Sequence, residues 1–208
     1  MADKVFENNQ VLLVGKISSD FEYSHEVYGE RFYKVELSVN RLSDCVDCIP
    51  VMISEYIIDV TKNYRGVSVC VKGQFRSFNL HLNNKTRLLL SVFAREVEFL
   101  EGANINEVEN NNHIVLDGYI CKEVIYRETP LGREISDVLV AVNRSYGISD
   151  YIPCICWGRN AIFASAFEVG TRVQILGRIQ SREYVKKISE TEAEQRIAYE
   201  VSVSRIKI

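Results

Sequence analysis

Among the side chains able to do chemistry, the cysteines come first. Six are spread over the 208 residues, at 45, 48, 70, 121, 154 and 156, with three histidines at 25, 81 and 113. Cys45-x-x-Cys48 has the spacing of half a zinc or redox motif. A structural zinc site needs two well-spaced pairs or histidine partners, and these residues form no such set. Cys154-x-Cys156 lies in a strand-like run, where period-2 spacing puts both thiols on one side of a sheet as small apolar core residues. No metal and no other cofactor is expected. There is no phosphate loop, no H-E-x-x-H, no G-x-S-x-G and no recognisable Cys/His pairing, so no catalytic residues are assigned and an enzyme is not expected. What remains is a set of aromatic rings in polar surroundings: Tyr146 in NRSYGIS, Tyr151 in SDYIP and Tyr184 in SREYVKK. A ring beside Arg182, Lys186 and Lys187 reads as an exposed platform rather than as core.

The elements that must position these rings are written twice. LSVNRLSDCVDCIP (37–50) and VAVNRSYGISDYIP (140–153) share V-N-R and close on I-P after the same interval. Gly15 answers Gly118, Gly29 answers Gly132 and Pro50 answers Pro153, all at an offset of 103. The offset becomes 104 for Gly66 and Gly170, Gly73 and Gly177, Ser77 and Ser181. One register held over so many special positions marks an internal duplication. The reading is a first domain over 1–100, a polar linker over 101–112 (EGANINEVENNN) and a second domain over 113–208.

Each copy reads mostly as strands. In the second, Ile114–Tyr126, Ile135–Val142 and Tyr151–Trp157 are β-rich, with TPLGRE (129–134) as a turn. RNAIFASAFEVG (159–170) changes period and reads as a short helix stopped at Gly170. RVQILGRIQSREYV and IAYEVSVSRIKI supply two further strands. In the first copy SEYIIDVTKNYRG (54–66) takes the helix position. Glycines in strands one and four relieve crowding where a small barrel curls. Five strands with a helix between the third and fourth is the order of an OB-fold. The fold class is therefore all-β: two tandem OB-folds, five-stranded Greek-key barrels, each with a short helix between strands 3 and 4.

TPLGREISDVLVAVNR, DYIPCICWGRNA, FEVGTRVQILGRIQSREY and YEVSVSRI together resemble the bacterial single-stranded DNA-binding protein family, over about residues 112–208. The resemblance implies non-enzymatic binding of single-stranded DNA in replication, recombination or repair. Bases would stack on aromatic faces while cations follow the backbone. On the family pattern the stacking positions fall on Tyr146, Tyr151, Trp157 and Tyr184. The phosphate candidates are Arg144, Arg159, Arg178, Arg182, Lys186 and Lys187. The plainer alternatives are a barrel-core role for Trp157, beside Cys154 and Cys156, and ordinary solvated surface for the cations. The sequence ends at SRIKI, directly after the last strand, so no acidic tail for recruiting replication proteins is expected.

Charge separates the two copies. The formal net charge is −3; residues 1–109 carry 12 basic and 16 acidic side chains, and residues 110–208 carry 13 and 12. The first copy has Ser43, Cys48, Ser54 and Leu80 at the stacking positions; Phe75, Phe78 and Tyr56 are out of register. Arg31, Arg41 and Arg76 leave it weak binding at most, and its expected role is assembly. Two chains would give the four OB-folds of a family tetramer, so a homodimer is expected. No apolar run approaches the roughly 18 residues that cross a bilayer, and the N-terminus has no secretory h-region, so a cytoplasmic protein with no membrane partner is expected. The alternatives to DNA binding are a primosomal or mobile-element accessory protein that uses its OB-folds for protein–protein interaction, and an oligosaccharide-binding OB pair.

Overall fold

The computed structural model describes residues 8–43, 45–82, 85–101, 110–187 and 193–208, without the side chains of 81, 82, 85, 86, 146 and 187. Among the described residues the strands are β1 (Asn9–Ile17), β2 (Glu22–Val27), β3 (Glu30–Asn40), β4 (Val46–Ser54), β5 (Ser68–Leu82), β6 (Lys85–Phe99), β7 (Asn112–Ile120), β8 (Ile125–Glu128), β9 (Glu134–Asn143), β10 (Ser149–Trp157), β11 (Arg172–Lys187) and β12 (Ala193–Lys207). Among the described residues an α-helix, α1 (Arg159–Ser165), lies between β10 and β11, and a single 3-10 turn, Ser145–Gly147, lies between β9 and β10.

Two barrels close in the same order. In the first, β1 pairs with β5, β5 with β6, β6 in parallel with β4, β4 with β3, and β3 returns to β1. In the second, β7, β11, β12, β10 and β9 repeat that circuit, again with one parallel step, β12 to β10. These are two tandem OB-folds. The hairpin strands β2 and β8 extend each barrel at β3 and β9. Alternation drives the closure: Ile152, Cys154 and Cys156 point inward from β10, as Ile49, Val51 and Ile53 do from β4. Each fully buried isoleucine contributes about 1.5–3 kcal/mol. Gly73 and Gly177 sit at register shifts in β5 and β11. A Cβ there would run into the carbonyl oxygen of Phe93 or Ser202 on the facing strand. A glycine is required for that approach.

The first copy departs from expectation at 54–66, where turns replace the helix. Asp59 Oδ1 accepts the Thr61 amide and hydroxyl at 3.2 and 2.6 Å, and Asn63 Oδ1 accepts the Arg65 amide at 2.9 Å. Such local bonds compete with helical ones. In α1 the polar residue Asn160 donates away from its own backbone, to Ser204 O at 3.1 Å, and the positions that answer Asp59 and Asn63 carry apolar residues. Ala161 and Ala164 then bury the helix face. The strand expected over 114–126 is also divided. It leaves the ladder after Ile120, where the Cys121 amide donates to Leu139 O, and resumes as β8.

The two barrels share one sheet. β1 runs antiparallel to β7, with Val11 opposite Ile114. Around this pair the hydrogen bonds obey a pseudo-two-fold. Asn9 clasps Phe75, its Oδ1 accepting the Phe75 amide at 2.9 Å and its Nδ2 donating to Phe75 O at 2.8 Å. Asn112 clasps Ile179 in the same way at 2.8 and 2.7 Å. Asn111 O accepts the Val14 amide, and Asn111 Nδ2 donates to Asn40 O. The end of the expected linker is thus tied into the barrels; its residues 102–109 lie outside the described residues. Among the described residues no helix is long and apolar enough to cross a membrane.

Candidate nucleic-acid interface

β10 carries two of the four aromatic residues expected to stack. Its even positions 152, 154 and 156 fill the barrel, so the odd positions face outward, and Tyr151 and Trp157 are 41% and 39% exposed. Trp157 is therefore not core, although Cys156 beside it is. Burial pushes the Cys156 thiol up to about 12 and the Cys154 thiol well above its ordinary value. Both are inert protonated packing groups. Trp157 borders an open groove with Gly132, Arg133, Glu134 and Gly158, and Arg159 is exposed two residues on.

Two junctions between the barrels organise the remaining candidates. At the first, β5 lies over the start of β10. The Ser77 amide donates to Asp150 Oδ1 at 2.7 Å, and the Tyr151 amide donates to Ser77 Oγ at 2.8 Å. Arg144 Nε lies 3.1 Å from Asp150 Oδ2 as an ion pair, but at an angle too bent for a hydrogen bond. Burial raises the Asp150 pKa, and the Ser77 bonds with the Arg144 and Arg76 charges oppose it. At the second junction β11 lies over β4. Asp47 Oδ1 accepts the Ser181 amide at 2.7 Å, and the Cys48 amide donates to Ser181 Oγ at 3.3 Å. Arg41 grips Asp47 with Nε at 2.8 Å and Nη2 at 2.6 Å, and Arg178 stands 3.7 Å from the same carboxylate.

The structure thus sorts the candidate cations. Arg144 and Arg178 are engaged at the junctions. Arg182 is 3.5 Å from Glu200 and 5.9 Å from the Tyr184 ring, with more than half of its side chain exposed. Lys186 is exposed. The side chains of Tyr146 and Lys187 lie outside the described residues. Tyr151 and Trp157 share a strand face. Tyr184, three residues beyond Ser181, lies on the hairpin arm that docks on the first barrel. In the first barrel, Arg31 is bound to Glu55 at 3.0 Å and Arg41 to Asp47, which leaves Arg76 of the three cations singled out there.

Sequence register missed a second set of rings. His25 stacks on Phe32, with centroids 5.0 Å apart and planes 13° apart. Phe32 packs on Phe93 at 5.4 Å, and the Arg76 guanidinium covers Phe93 at 3.9 Å. These residues line a groove whose rim carries Tyr28 and Tyr56. They come from β2, β3, β5, β6 and two turns, at positions where the second copy has no aromatic partner, so comparing the copies could not reveal them. The available signal was Tyr28-Gly29, a two-residue turn between strands.

Closed five-stranded barrels in tandem, with outward rings on one strand face, define a double OB-fold protein. The sequence signature described as the single-strand binding protein family matches residues 111–208. Over 80 residues the chain is 34% identical to single-stranded DNA-binding protein 2 of Listeria innocua, covering 35% of this chain and 50% of that protein. It is 32% identical to single-stranded DNA-binding protein B of Bacillus subtilis, covering 35% of this chain and 71% of that one. The chain belongs to the single-strand binding protein family. Its match spans half the length of the Listeria relative. The crystal structure of the wild-type single-stranded DNA binding protein from Thermus aquaticus is similar across both barrels, with TM-score 0.75 and 18% identity over 96% of this chain and 91% of that one.

Proposed function

We propose that the chain binds single-stranded DNA, without catalysis, in support of replication, recombination or repair. The observation that carries this reading is the pair Tyr151 and Trp157, outward and solvent-accessible on one face of β10. Exposed rings on a rigid strand offer stacking platforms whose ordering cost is met by the fold, and every base has a face to stack. Arg159, Arg182 and Lys186 supply exposed positive charge for the phosphates. The names of the family relatives support the same reading.

The proposed assembly is a homodimer with four barrels. Support comes from the outer face of the shared sheet β5-β1-β7-β11, which carries Leu12, Val14, Cys70, Val115 and Leu176 away from both cores. This apolar patch, bordered on the same face by Lys72, His113 and Asp117, is a seat for a second copy.

Trp157 is the single tryptophan. Titration with oligo-dT should quench its fluorescence, and the apparent affinity should fall linearly on a log–log plot against salt. Absence of quenching and of any gel mobility shift at low salt would reject the proposal.

A further inference from the structure

We propose that the first barrel carries its own stretch of the single-strand path, a groove formed by His25, Phe32, Phe93 and Arg76 and rimmed by Tyr28 and Tyr56, which takes bases at the tyrosine end and a phosphate at Arg76. This inference rests on the reading of the protein as a single-strand binder. It goes beyond the weak binding and mainly assembly role expected of the first barrel.

Three observations point to this occupant. The first is the row itself: imidazole, two phenyl rings and a guanidinium in succession, at spacings of 5.0, 5.4 and 3.9 Å. Phe32 is buried and serves as floor, Phe93 is half-buried, and Tyr56 is 75% exposed at the rim. Flat groups at ring spacing accept further flat groups. Glu30 also lines the groove, held by the Ser54 hydroxyl, and presents an acceptor suited to base amines rather than to phosphate.

The second is an excess of positive charge at the other end. Arg76 and Arg95 both donate to the neutral Gln74 Oε1, at 2.9 and 3.2 Å, and Arg144 faces the same cluster. The facing carboxylate is Asp150, already occupied by the Ser77 amide and Arg144. Buried Arg76 Nε has no hydrogen-bond partner. Burial first, then Arg144 and Arg95, push the Arg76 pKa down to about 10. Three guanidiniums around one carboxylate are relieved by an added anion. The cluster is continuous with the candidate interface, because the next residue, Ser77, holds the Tyr151 amide. A strand leaving Tyr151 meets Arg76 and then the aromatic row.

The third is Tyr28. The Tyr28-Gly29 turn joins Val27 to Glu30 with φ of 50° and 82°. A two-residue turn with both φ positive favours Asn-Gly. A bulky aromatic there is strained, and this one is fully exposed at the tip, where it packs against nothing.

The geometry gives a clean test. Tyr28→Asn should leave the hairpin at least as stable in thermal melts while removing one ring. It is combined with Tyr56→Ala, and separately with Arg76→Gln, the residue found at the equivalent position 180. All variants keep Trp157 as reporter. Binding is measured with oligo-dA of about 10 and about 30 nucleotides, lengths chosen from the 4–16 nucleotides an OB-fold occupies. The expected result is unchanged affinity for the short oligomer when it occupies the second barrel. For the long one, affinity should fall about tenfold or more and the occluded length should shorten. Wild-type affinity and occluded length for the long oligomer in both variants would overturn the inference. Failure of the wild type to bind either length would overturn the single-strand reading itself.

Discussion

Tyr151 leaves β10 with its amide tied to Ser77 and its ring accessible, whereas Phe75, also aromatic and close in space, is wholly enclosed. The two therefore fail differently. Tyr151→Ala should weaken oligo-dT binding by about 1–3 kcal/mol, roughly 5- to 150-fold, with little change in the urea midpoint. Phe75→Ala should cost about 3–5 kcal/mol of stability and leave the affinity of the folded fraction nearly intact. Fluorescence titration and denaturation on the same samples separate the two. Asp117 shows a pH effect at a single residue. Arg172 donates to its carboxylate from Nε at 2.9 Å and Nη2 at 2.8 Å, which holds its pKa below the ordinary value. A lowered folded-state pKa means stability that is present above the unfolded value, about 4, and lost as pH falls through the folded one. Urea midpoints should therefore fall less between about pH 5 and pH 2 in Asp117→Asn than in the wild type. An identical pH profile would remove Asp117 from the account.

At the scale of elements, the bulges in β5 and β11 decide whether the barrels close. Gly177→Ala places a methyl against Ser202 O, a backbone atom that cannot step aside. The expected loss is about 3 kcal/mol, at the upper end for overpacking, read from thermal unfolding. The elements were also the most legible part of the sequence. The repeat of Gly15, Gly73, Gly118 and Gly177 marks close approaches of backbone to backbone, and alternation in β10 and β12 marks which faces are inside. A helix after β10 was legible from the change of period, but it was read as running to Gly170, whereas α1 ends at Ser165 and buries Ala161 and Ala164 while Ile162 and Phe163 stay exposed. Its counterpart at 54–66 was misread because Asp59 and Asn63 spend their side chains on turns, a competition that periodicity does not register. Trp157 could be assigned only once the phase of β10 was known. Of the groove at Arg76 only the Tyr28-Gly29 turn left a mark in the sequence, since its other members meet through strand pairings and have no common spacing.

At the scale of the molecule, the junctions bind each barrel's hairpin arm to its neighbour. Asp47 and Asp150 hold equivalent places, each accepting a serine amide from the other barrel. Because the strands at both junctions are continuous with barrel cores, the halves should unfold in one transition. The apolar patch on the outer face of β5-β1-β7-β11 should bring two such chains together, so sedimentation should give about 48 kDa, twice the 23.9 kDa of one chain. A species of 23.9 kDa at micromolar concentration would dismiss the dimer.

The β1–β7 pairing has one more consequence. In a two-fold pair of identical subunits, a substitution is copied into both sites at once, and any benefit at one is tied to its cost at the other. Here the partners are consecutive segments of one chain, and each position answers for a single site. Gln74 and Arg76 on β5 stand where β11 has Arg178 and Gln180, the same two residues in opposite order. One order sets a guanidinium over Phe93; the other sends it toward Asp47. Covalent joining has let two halves of one architecture become different neighbours to whatever lies across them.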